Sequence, residues 1–594
     1  MVEPLLNLRH FIKRLRAENE IADVYEEVDP HLEIAEIHRR VAAANGPALF
    51  FHRVKGSSFP VVTNLFGSRR RVDLAFPNRP EKIIAKLVEL LTSTFPPKLS
   101  ELWRQRDTLK NLLTLGTQRK TRAPVMERML CPPDLETLPM LKTWPQDGGH
   151  FITLPLVYTE PPNGGPPNLG MYRIQRYDKT TTGLHFQIQK GGGFHFNQAE
   201  QQNRPLPVNI FIGGAPALIL SAITPLPENI PEILIAGLMQ GQKIRVAQTP
   251  SSPYPLLSEC EFALVGEALP HVRRPEGPFG DHYGYYSWAH DFPVFNCSAL
   301  YHRKDAIYPA TVVGKPLQED YYIGDYLQEM LSPLFPVVMP GVKSLWSYGE
   351  TGFHSLSAAI VRERYYRECM TSAFRILGEG QLSLTKFLML TDQPVDLRDF
   401  PELLTTILER FRPETDLFIF SNLSLDTLDY TGPSLNKGSR GVLLGTGEKI
   451  RDLPKEFQGS LPQGITAAKA FSPGCLVLEG TVREISTSLF SHPDFATWPL
   501  IILVDSLEKT LKSSTSFLWT VFTRFEPAAD IYAASSIFRN HVCHTGPILI
   551  DARMKPSYPP ELMCDPITAH TVTYKWNRYF PSGMKMGDSD TAHI

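Results

Sequence analysis

Three ionisable residues in this chain have types and spacing that could handle a carboxylate and a proton together. Glu276 and Asp281 lie five positions apart in Glu-Gly-Pro-Phe-Gly-Asp, where Gly277, Pro278 and Gly280 preclude a regular helix or strand. A rigid loop of this kind can hold both carboxyls in one concave site. An arginine between them would keep one ionised while loss of water raised the other into the range of a proton donor. Arg173 could be that arginine; equally, it could pair with an acid at the surface, and the two acids could be solvated loop residues. Asn168 and Glu232 offer oxygen ligands suited to a hard divalent ion that also takes phosphate oxygens. Gly191, Gly192 and Gly193 would let backbone approach a phosphate, or else form a plain turn.

The elements that must position these groups are legible as pattern. Pro166 and Pro167 deliver Asn168, residues 171–177 alternate as a strand does, a Lys-Thr-Thr-Thr-Gly turn follows, and 184–189 alternate again. The expectation is a hairpin with a glycine-rich exit, in which Arg173 shares a face with Met171 and Gln175. Residues 1–125 read as an α/β domain, with helices over 5–18 and 32–44, the second begun by Asp29-Pro30, and strands over 48–51 and 60–65. Over 126–325 short strands punctuated by Pro and Gly, at 151–158, 171–177, 184–189, 207–213 and 292–301, predict a β-barrel or sandwich. Alternating strands and helices then predict an α/β domain over 326–470.

The remaining 471–594 reads as a second copy of that unit. Asp392 and Asp505 stand 113 apart, whereas Pro413/Pro527, Asp416/Asp530 and the Thr-Gly-Pro threonines Thr431/Thr545 all stand 114 apart. The copy lacks a counterpart of the Gly-Ser-Arg-Gly around Arg440, so it is expected to build no second site. Its apolar strands predict an extension of the C-terminal domain that joins a homo-oligomer interface away from Arg173.

Composition narrows the function class. With 594 residues, about three or four domains are expected. Its 60 basic and 62 acidic residues balance, and no basic block rises above the short Arg69–Arg71 run, which argues against nucleic acid and for a small partner. Seven scattered cysteines without a C-x-x-C pair predict reduced thiols and a cytoplasmic protein. The charged N-terminus does not read as a signal peptide, and the longest apolar stretch, 208–223, is broken by Gly213, Gly214 and Pro216, so no transmembrane segment is expected.

Longer motifs carry a resemblance. Asn-x-Gly-x-Tyr-Arg from Asn168, the Lys-Gly-Gly after it, Thr-Pro-x-Pro-Glu-x-x-x-Glu over 224–232, and Glu-Gly-Pro-Phe-Gly-Asp-His-x-Gly-Tyr-Tyr over 276–286 resemble the UbiD family of prenylated-FMN-dependent decarboxylases. Asp-Pro-His-Leu-Glu-Ile-Ala-Glu-Ile over 29–37 and Val-Val-Thr-Asn-Leu-Phe-Gly-Ser from Val61 match as well. The resemblance implies an N-terminal α/β domain, a flavin-binding split β-barrel and a C-terminal α/β domain that mediates dimerisation. It further implies prenylated FMN with Mn²⁺, and K⁺ as a further candidate ion. Asn168 and Glu232 would be metal ligands, with Gln189 in a third place where some members have His and with His185 and His195 as substitutes. Met171, Tyr172, Arg173, His185, Phe186, Gln187, Lys190 and Gly191 resemble the cofactor-contacting positions, and Arg440 falls where members place a lysine near the cofactor. Arg173, Glu276 and Asp281 resemble the family's catalytic network, with Asp281 as proton donor.

That chemistry is internally consistent. Loss of CO₂ from an aromatic carbon leaves a carbanion that no side chain stabilises well, so a cofactor must take up the electrons. The duplicated tail is similar to the subgroup acting in the futalosine route to menaquinone, which implies 1,4-dihydroxy-6-naphthoate as substrate and a flavin prenyltransferase as cofactor supplier. The alternatives are 4-hydroxy-3-polyprenylbenzoate, another phenolic or cinnamic acid, or a flavin-binding scaffold with a decayed site. Convergence of Arg173, Glu276 and Asp281 discriminates against the last.

Overall fold

The computed structural model describes residues 4–93, 106, 110–187, 190–226, 230–315, 317–482, 485 and 487–588. It is a mixed α/β, multidomain chain that clusters into two units, one holding the described residues up to Met330 and from Pro560 onward, the other Leu331–Pro559. No helix among the described residues is long and apolar enough to cross a membrane. All seven cysteines are free thiols.

In the first unit, helices Leu8–Ala17 and Glu33–Ala43 form where the apolar spacing puts them. The second starts differently from the expected Asp29-Pro30 cap. Leu32 is its N-terminal flank in a left-handed conformation, and the Asp29 carboxylate instead accepts from His31 N–H at 2.8 Å. A four-stranded sheet follows in the order Ile21–Val24, Ala48–Phe51, Val61–Thr63, Tyr308–Pro309.

The middle of the chain builds a seven-stranded sheet ordered Thr181–Gly183, His290–His302, Phe262–Glu276, Leu206–Ile212, Pro155–Thr159, Asn168–Gly170, with Arg128–Leu130 added to His290–His302. Every pairing in it is antiparallel. The expected strand over 171–177 is not continuous. Asn168–Gly170 pairs with Pro155–Thr159, Ile174–Gln175 pairs with Phe151–Ile152 of a separate two-stranded sheet, and the chain crosses between the two sheets at 171–173. The expected strand over 184–189 is absent as well, since 184–187 are irregular and 188–189 lie outside the described residues. Instead of a turn, the three glycines open a helix, Gly191–Gln201.

In the second unit one sheet topology occurs twice. The first five-stranded sheet runs Val342–Ser347, Leu356–Val361, Phe387–Thr391, Lys437–Gly445, Leu417–Ser424; the other runs Ile465–Ser472, Cys475–Gly480, Leu500–Val504, His541–Asp551, Ile531–Phe538. The parallel and antiparallel pairings repeat in the same order. Phe387, Met389 and Leu443 of one sheet share a core with Val477, Leu500 and Ile502 of the other, so the second copy buries its apolar face against the first. The Thr431/Thr545 match is not structural. Phe387 pairs with Gly441 and Leu500 with Ile548, which sets Pro547 opposite the place of Arg440, whereas Thr431 lies in a loop and Thr545 in a strand.

The tail departs from the expected single unit over 471–594. From Pro560 the chain rejoins the first unit, where helix Pro566–Tyr579 places Val572, Trp576 and Tyr579 in the main core. Residues 560–562 bond to the loop that carries Asp281, so this part of the tail does not extend the C-terminal domain as expected.

Candidate active site

The site forms around the break in the sheet. Because 171–173 belong to neither ladder, Arg173 is free to turn its side chain toward the end of the long strand Phe262–Glu276. Its Nε donates to Glu276 Oε1 at 2.8 Å, and Nη2 to Glu276 Oε2 at 2.9 Å and to Ser287 Oγ at 2.9 Å. The remaining arm, Nη1, donates to Asp281 Oδ2, and the guanidinium lies 4.8 Å from the Phe279 ring centroid. A two-pronged contact to one carboxylate and a single contact to the other fixes the fork in one orientation. Arg173, Glu276 and Asp281 therefore converge, as their types suggested.

The electrostatics differ from the expected split. Burial alone would push Glu276 up, yet Arg173 and His185 outweigh it and hold that carboxyl at about 2. Asp281 is lowered too: against burial stand its hydrogen bonds from His282 and the charge of Arg173. Both carboxyls are thus ionised at neutral pH, because one guanidinium serves both and His185 and His282 each support one. His185 is pushed down by burial and then by Arg173, so its ring is neutral. Its Nδ1 lies 3.1 Å from Glu276 Oε2 and its Nε2 3.3 Å from Gln187 Nε2. The pattern that satisfies all three groups has the Gln187 amide donating to Nε2 and Nδ1–H donating to Glu276.

Asp281 also accepts at Oδ1 from His282 N–H and faces His282 Nδ1, both at 2.8 Å. Its loop is held from behind by residues that sequence reasoning passed over. Asp147 accepts from Thr143 and Trp144 through Oδ2 and from Gly280 N–H at 2.8 Å through Oδ1; burial pushes its carboxyl up to about 6. Gln175 Oε1 accepts from Gly277 N–H at 2.7 Å. The alternation that put Gln175 beside Arg173 was a usable signal for it, whereas nothing in the local pattern marked Asp147.

A second cluster adjoins the glycine helix. Asn168 Nδ2 donates to Glu232 Oε1 at 3.1 Å, Leu169 N–H to Glu232 Oε2 at 2.9 Å, and Tyr172 OH to Asn168 Oδ1 at 2.9 Å. Burial raises Glu232, and no cationic side chain pairs with it among the described residues. A half-buried carboxylate beside a side-chain amide, with no such counter-charge, fits a hard cation. Gly192 N–H donates to Tyr172 OH at 3.1 Å, and a Cβ at Gly191 would lie 2.7 Å from Asn168 Cγ, so only glycine lets the helix start this close. The first turn of an eleven-residue helix against an acidic-amide pair fits a phosphate bridged by a cation. Phe186 stands edge-on to Tyr172 at 5.1 Å, and Lys190 is the residue flanking the helix. Met171 lies in the sheet crossing. Gln189, the third metal position, lies outside the described residues. His195 Nδ1 is bonded to Thr159 Oγ1 at 2.9 Å, a structural contact.

Arg440 belongs to the second unit. Its Nη2 donates to Ser424 O and Oγ at 2.9 and 3.0 Å; burial lowers it, and no carboxylate pairs with it among the described residues.

Three family models match this chain, described as the N-terminal, Rift-related and C-terminal domains of 3-octaprenyl-4-hydroxybenzoate carboxy-lyase (UbiD), over 12–91, 117–316 and 321–445. An uncharacterized protein of Chlamydia caviae is 55% identical over 577 residues, 97% of this chain and 99% of that protein. A Chlamydia pneumoniae protein, named as one component of a 4-hydroxybenzoate decarboxylase, is 56% identical over 579 residues, 97% and 98% of the two chains. Among solved structures, the closed form of vanillic acid decarboxylase from Sedimentibacter hydroxybenzoicus matches with a TM-score of 0.66 at 24% identity, over 78% of this chain and 96% of that one. The UbiD-class enzyme HmfF from Pelotomaculum thermopropionicum, an evolved dimeric form in complex with prFMN, matches with a TM-score of 0.61 at 22% identity, over 75% and 96%. At these identities the two structures speak to the fold.

Proposed function

We propose, from the premise that this chain belongs to the UbiD family of carboxy-lyases, that it catalyses the non-oxidative decarboxylation of an aromatic carboxylic acid with prenylated FMN. The observation that carries the reading is the single buried arginine shared between Glu276 and Asp281. When bound, the modified flavin supplies the electron sink for the carbon that loses CO₂. Tyr172, Phe186, Gln187, Lys190 and Gly191 are the residues that would hold it in this unit, with Asn168 and Glu232 on a Mn²⁺ ion at its phosphate. Arg440, a buried guanidinium lacking a carboxylate among the described residues, is a further candidate for an anionic group.

The protein's own part is binding, orientation and one proton. Arg173 takes the substrate carboxylate on Nη1, the arm it now offers Asp281, while Glu276, gripped at two points, keeps the guanidinium from turning. The arriving carboxylate brings negative charge beside Asp281 and draws on the same arginine. Asp281 therefore rises from its depressed value and takes up a proton. When the C–C bond breaks and CO₂ leaves, that proton replaces it on carbon, and the overall change, ArCOO⁻ plus H⁺ to ArH plus CO₂, balances. His282, bonded to Asp281 and partly exposed, is the route by which solvent restores the proton. Substrate binding is accordingly expected to take up about one proton per site between about pH 6 and 8, checked by calorimetry in buffers of different ionisation enthalpy. Proton release, or no exchange, would contradict this account.

The substrate we propose is 1,4-dihydroxy-6-naphthoate, on the resemblance of the duplicated tail to the menaquinone subgroup. A second reading, 4-hydroxybenzoate, is favoured by the name of the Chlamydia pneumoniae relative. A homo-oligomer in the cytoplasm, supplied by a flavin prenyltransferase, completes the proposal. Co-expression with that transferase, followed by measurement of CO₂ release from a panel of aromatic acids, decides among the substrates; no release from any acid would remove the decarboxylase reading.

Glu232→Ala is expected to lose flavin and metal together, since the ion would bridge phosphate to protein and the variant lacks the carboxylate that would hold the ion. Metal analysis showing full Mn²⁺ in that variant would move the site elsewhere.

A further inference from the structure

The hairpin that presents Asp281 is small for the task. Only two residue pairs, Phe279 with Ser287 and Gly280 with Tyr286, form its ladder, and Asp281 N–H closes the turn on Tyr285 O at 3.1 Å. A two-stranded hairpin of this length is marginal by itself in water, and a third strand is what normally stabilises one.

That support comes from the far end of the chain, as an isolated antiparallel bridge. Tyr286 N–H donates to Pro560 O at 3.1 Å and Leu562 N–H to Gly284 O at 3.0 Å, so Tyr285 and Glu561 form an antiparallel bridge. Glu561 pairs with the buried Lys315 at 2.8 Å. Leu562 is fully buried in a cluster with Trp144 and Tyr286. Trp144 in turn lies directly under Gly280, where a Cβ would come within 2.1 Å of its Cδ1. Contacts therefore run without a gap from Leu562 through Trp144 to the residue before Asp281. The strap is itself moored: Arg40 reaches Thr573 Oγ1 at 2.9 Å and Ala569 O at 3.1 Å, and Lys575 pairs with Glu33 at 3.0 Å. The matched family models end at residue 445, so this strap lies beyond them.

We propose that residues 560–562 are a positioning element for the proton-donor hairpin, with Leu562 as the side chain that sets it. The inference rests on the reading of Asp281 as proton donor. The strap touches neither substrate nor flavin in this account; it completes the sheet that aims Asp281 at the carbon Arg173 presents. Losing it lets the hairpin open while the Arg173–Glu276 grip on the carboxylate survives.

The test is amide hydrogen exchange of the full-length protein across 277–287, comparing Leu562→Ala, Leu562→Met and Val572→Ala. Val572 is equally buried in the same tail but packs in the main core rather than in the Trp144–Tyr286–Leu562 cluster, so it controls for general loss of stability. Leu562→Ala is expected to speed exchange at Tyr286 and its hairpin neighbours by about 10-fold or more, with Met restoring protection and Val572→Ala leaving these amides near wild type. Turnover in Leu562→Ala is expected to fall about 10-fold with KM little changed, because binding and proton delivery are separated. Unchanged exchange in Leu562→Ala, or an equal rise in Val572→Ala, overturns the proposal. Should Leu562→Ala not fold, Glu561→Gln, which removes the charge that pairs with the buried Lys315, carries the same comparison. Faster exchange without CO₂ release from any acid in the panel would keep the strap and remove the decarboxylase reading instead.

Discussion

Asp281→Asn is expected to abolish turnover while flavin stays bound. The amide has the shape of the acid, and its oxygen can still accept from His282 N–H as Oδ1 does now at 2.8 Å. Glu276 continues to grip Arg173 at two points, so the substrate carboxylate is still received. What is lost is the proton: an amide neither takes one from solvent at neutral pH nor gives one to carbon. General acid catalysis is worth about 10²–10⁴-fold, and CO₂ release in the variant is expected to fall at least that far. Flavin absorbance, unaltered beside an arrested reaction, distinguishes this from a folding defect. Retained turnover at normal flavin content would remove Asp281 from the mechanism.

Arg173→Met is expected to cost both activity and stability, and its pH signature identifies the cause. Methionine fills much of the same volume but leaves the buried Glu276 and Asp281 facing each other without their cation. Removing one partner of a buried ion pair typically costs about 3–5 kcal/mol, so the denaturation midpoint at about pH 7 is expected to drop clearly. The sign with pH follows from the shifts. In the wild type, Glu276 is held at about 2 against an ordinary 4.5, so its contribution is fully present above about 4.5 and is lost as pH falls toward 2. Without Arg173, only His185 at Glu276 and His282 at Asp281 still oppose burial, so both carboxyls rise from their depressed values. The variant therefore gains less stability than the wild type as pH rises through about 4.5, where the unfolded carboxyls ionise. Its deficit relative to wild type is therefore expected to shrink at about pH 4 and to be largest at about pH 7 to 8, read from thermal melts across that range. A deficit independent of pH would mean that packing, not charge, accounts for the loss.

Both predictions depend on one feature that no single stretch of sequence encodes. Motif order placed Arg173, Glu276 and Asp281 in one site, and Asn168 with Glu232 in another, because residue types at fixed loop spacing restrict the chemistry they can do. The conformations between them were less legible. Residues 171–177 alternate like one strand, yet the chain around them pairs first in one sheet and then in another, and only the partners across the gap decide where a ladder stops. The glycine run carried no side chains with which to declare a helix, and became one because its backbone could start against Asn168 and Phe186. The repeat was legible where its apolar strands recur, while the Thr-Gly-Pro match misled because equal spacing does not require an equal place in the sheet.

By itself, then, the sequence determined the family, the α/β class, the duplicated sheet and which residues are candidates for the site, since these rest on local residue types and their periodicity. Tertiary structure alone decided the charges those groups carry and the rigidity of the loop that holds them. Ionisation follows from burial summed with one arginine shared by two acids, and the shape of the loop from Trp144, Asp147 and Leu562, residues that lie from 137 before to 281 after Asp281 in the chain. Distances in space set both, and sequence spacing carries no record of them.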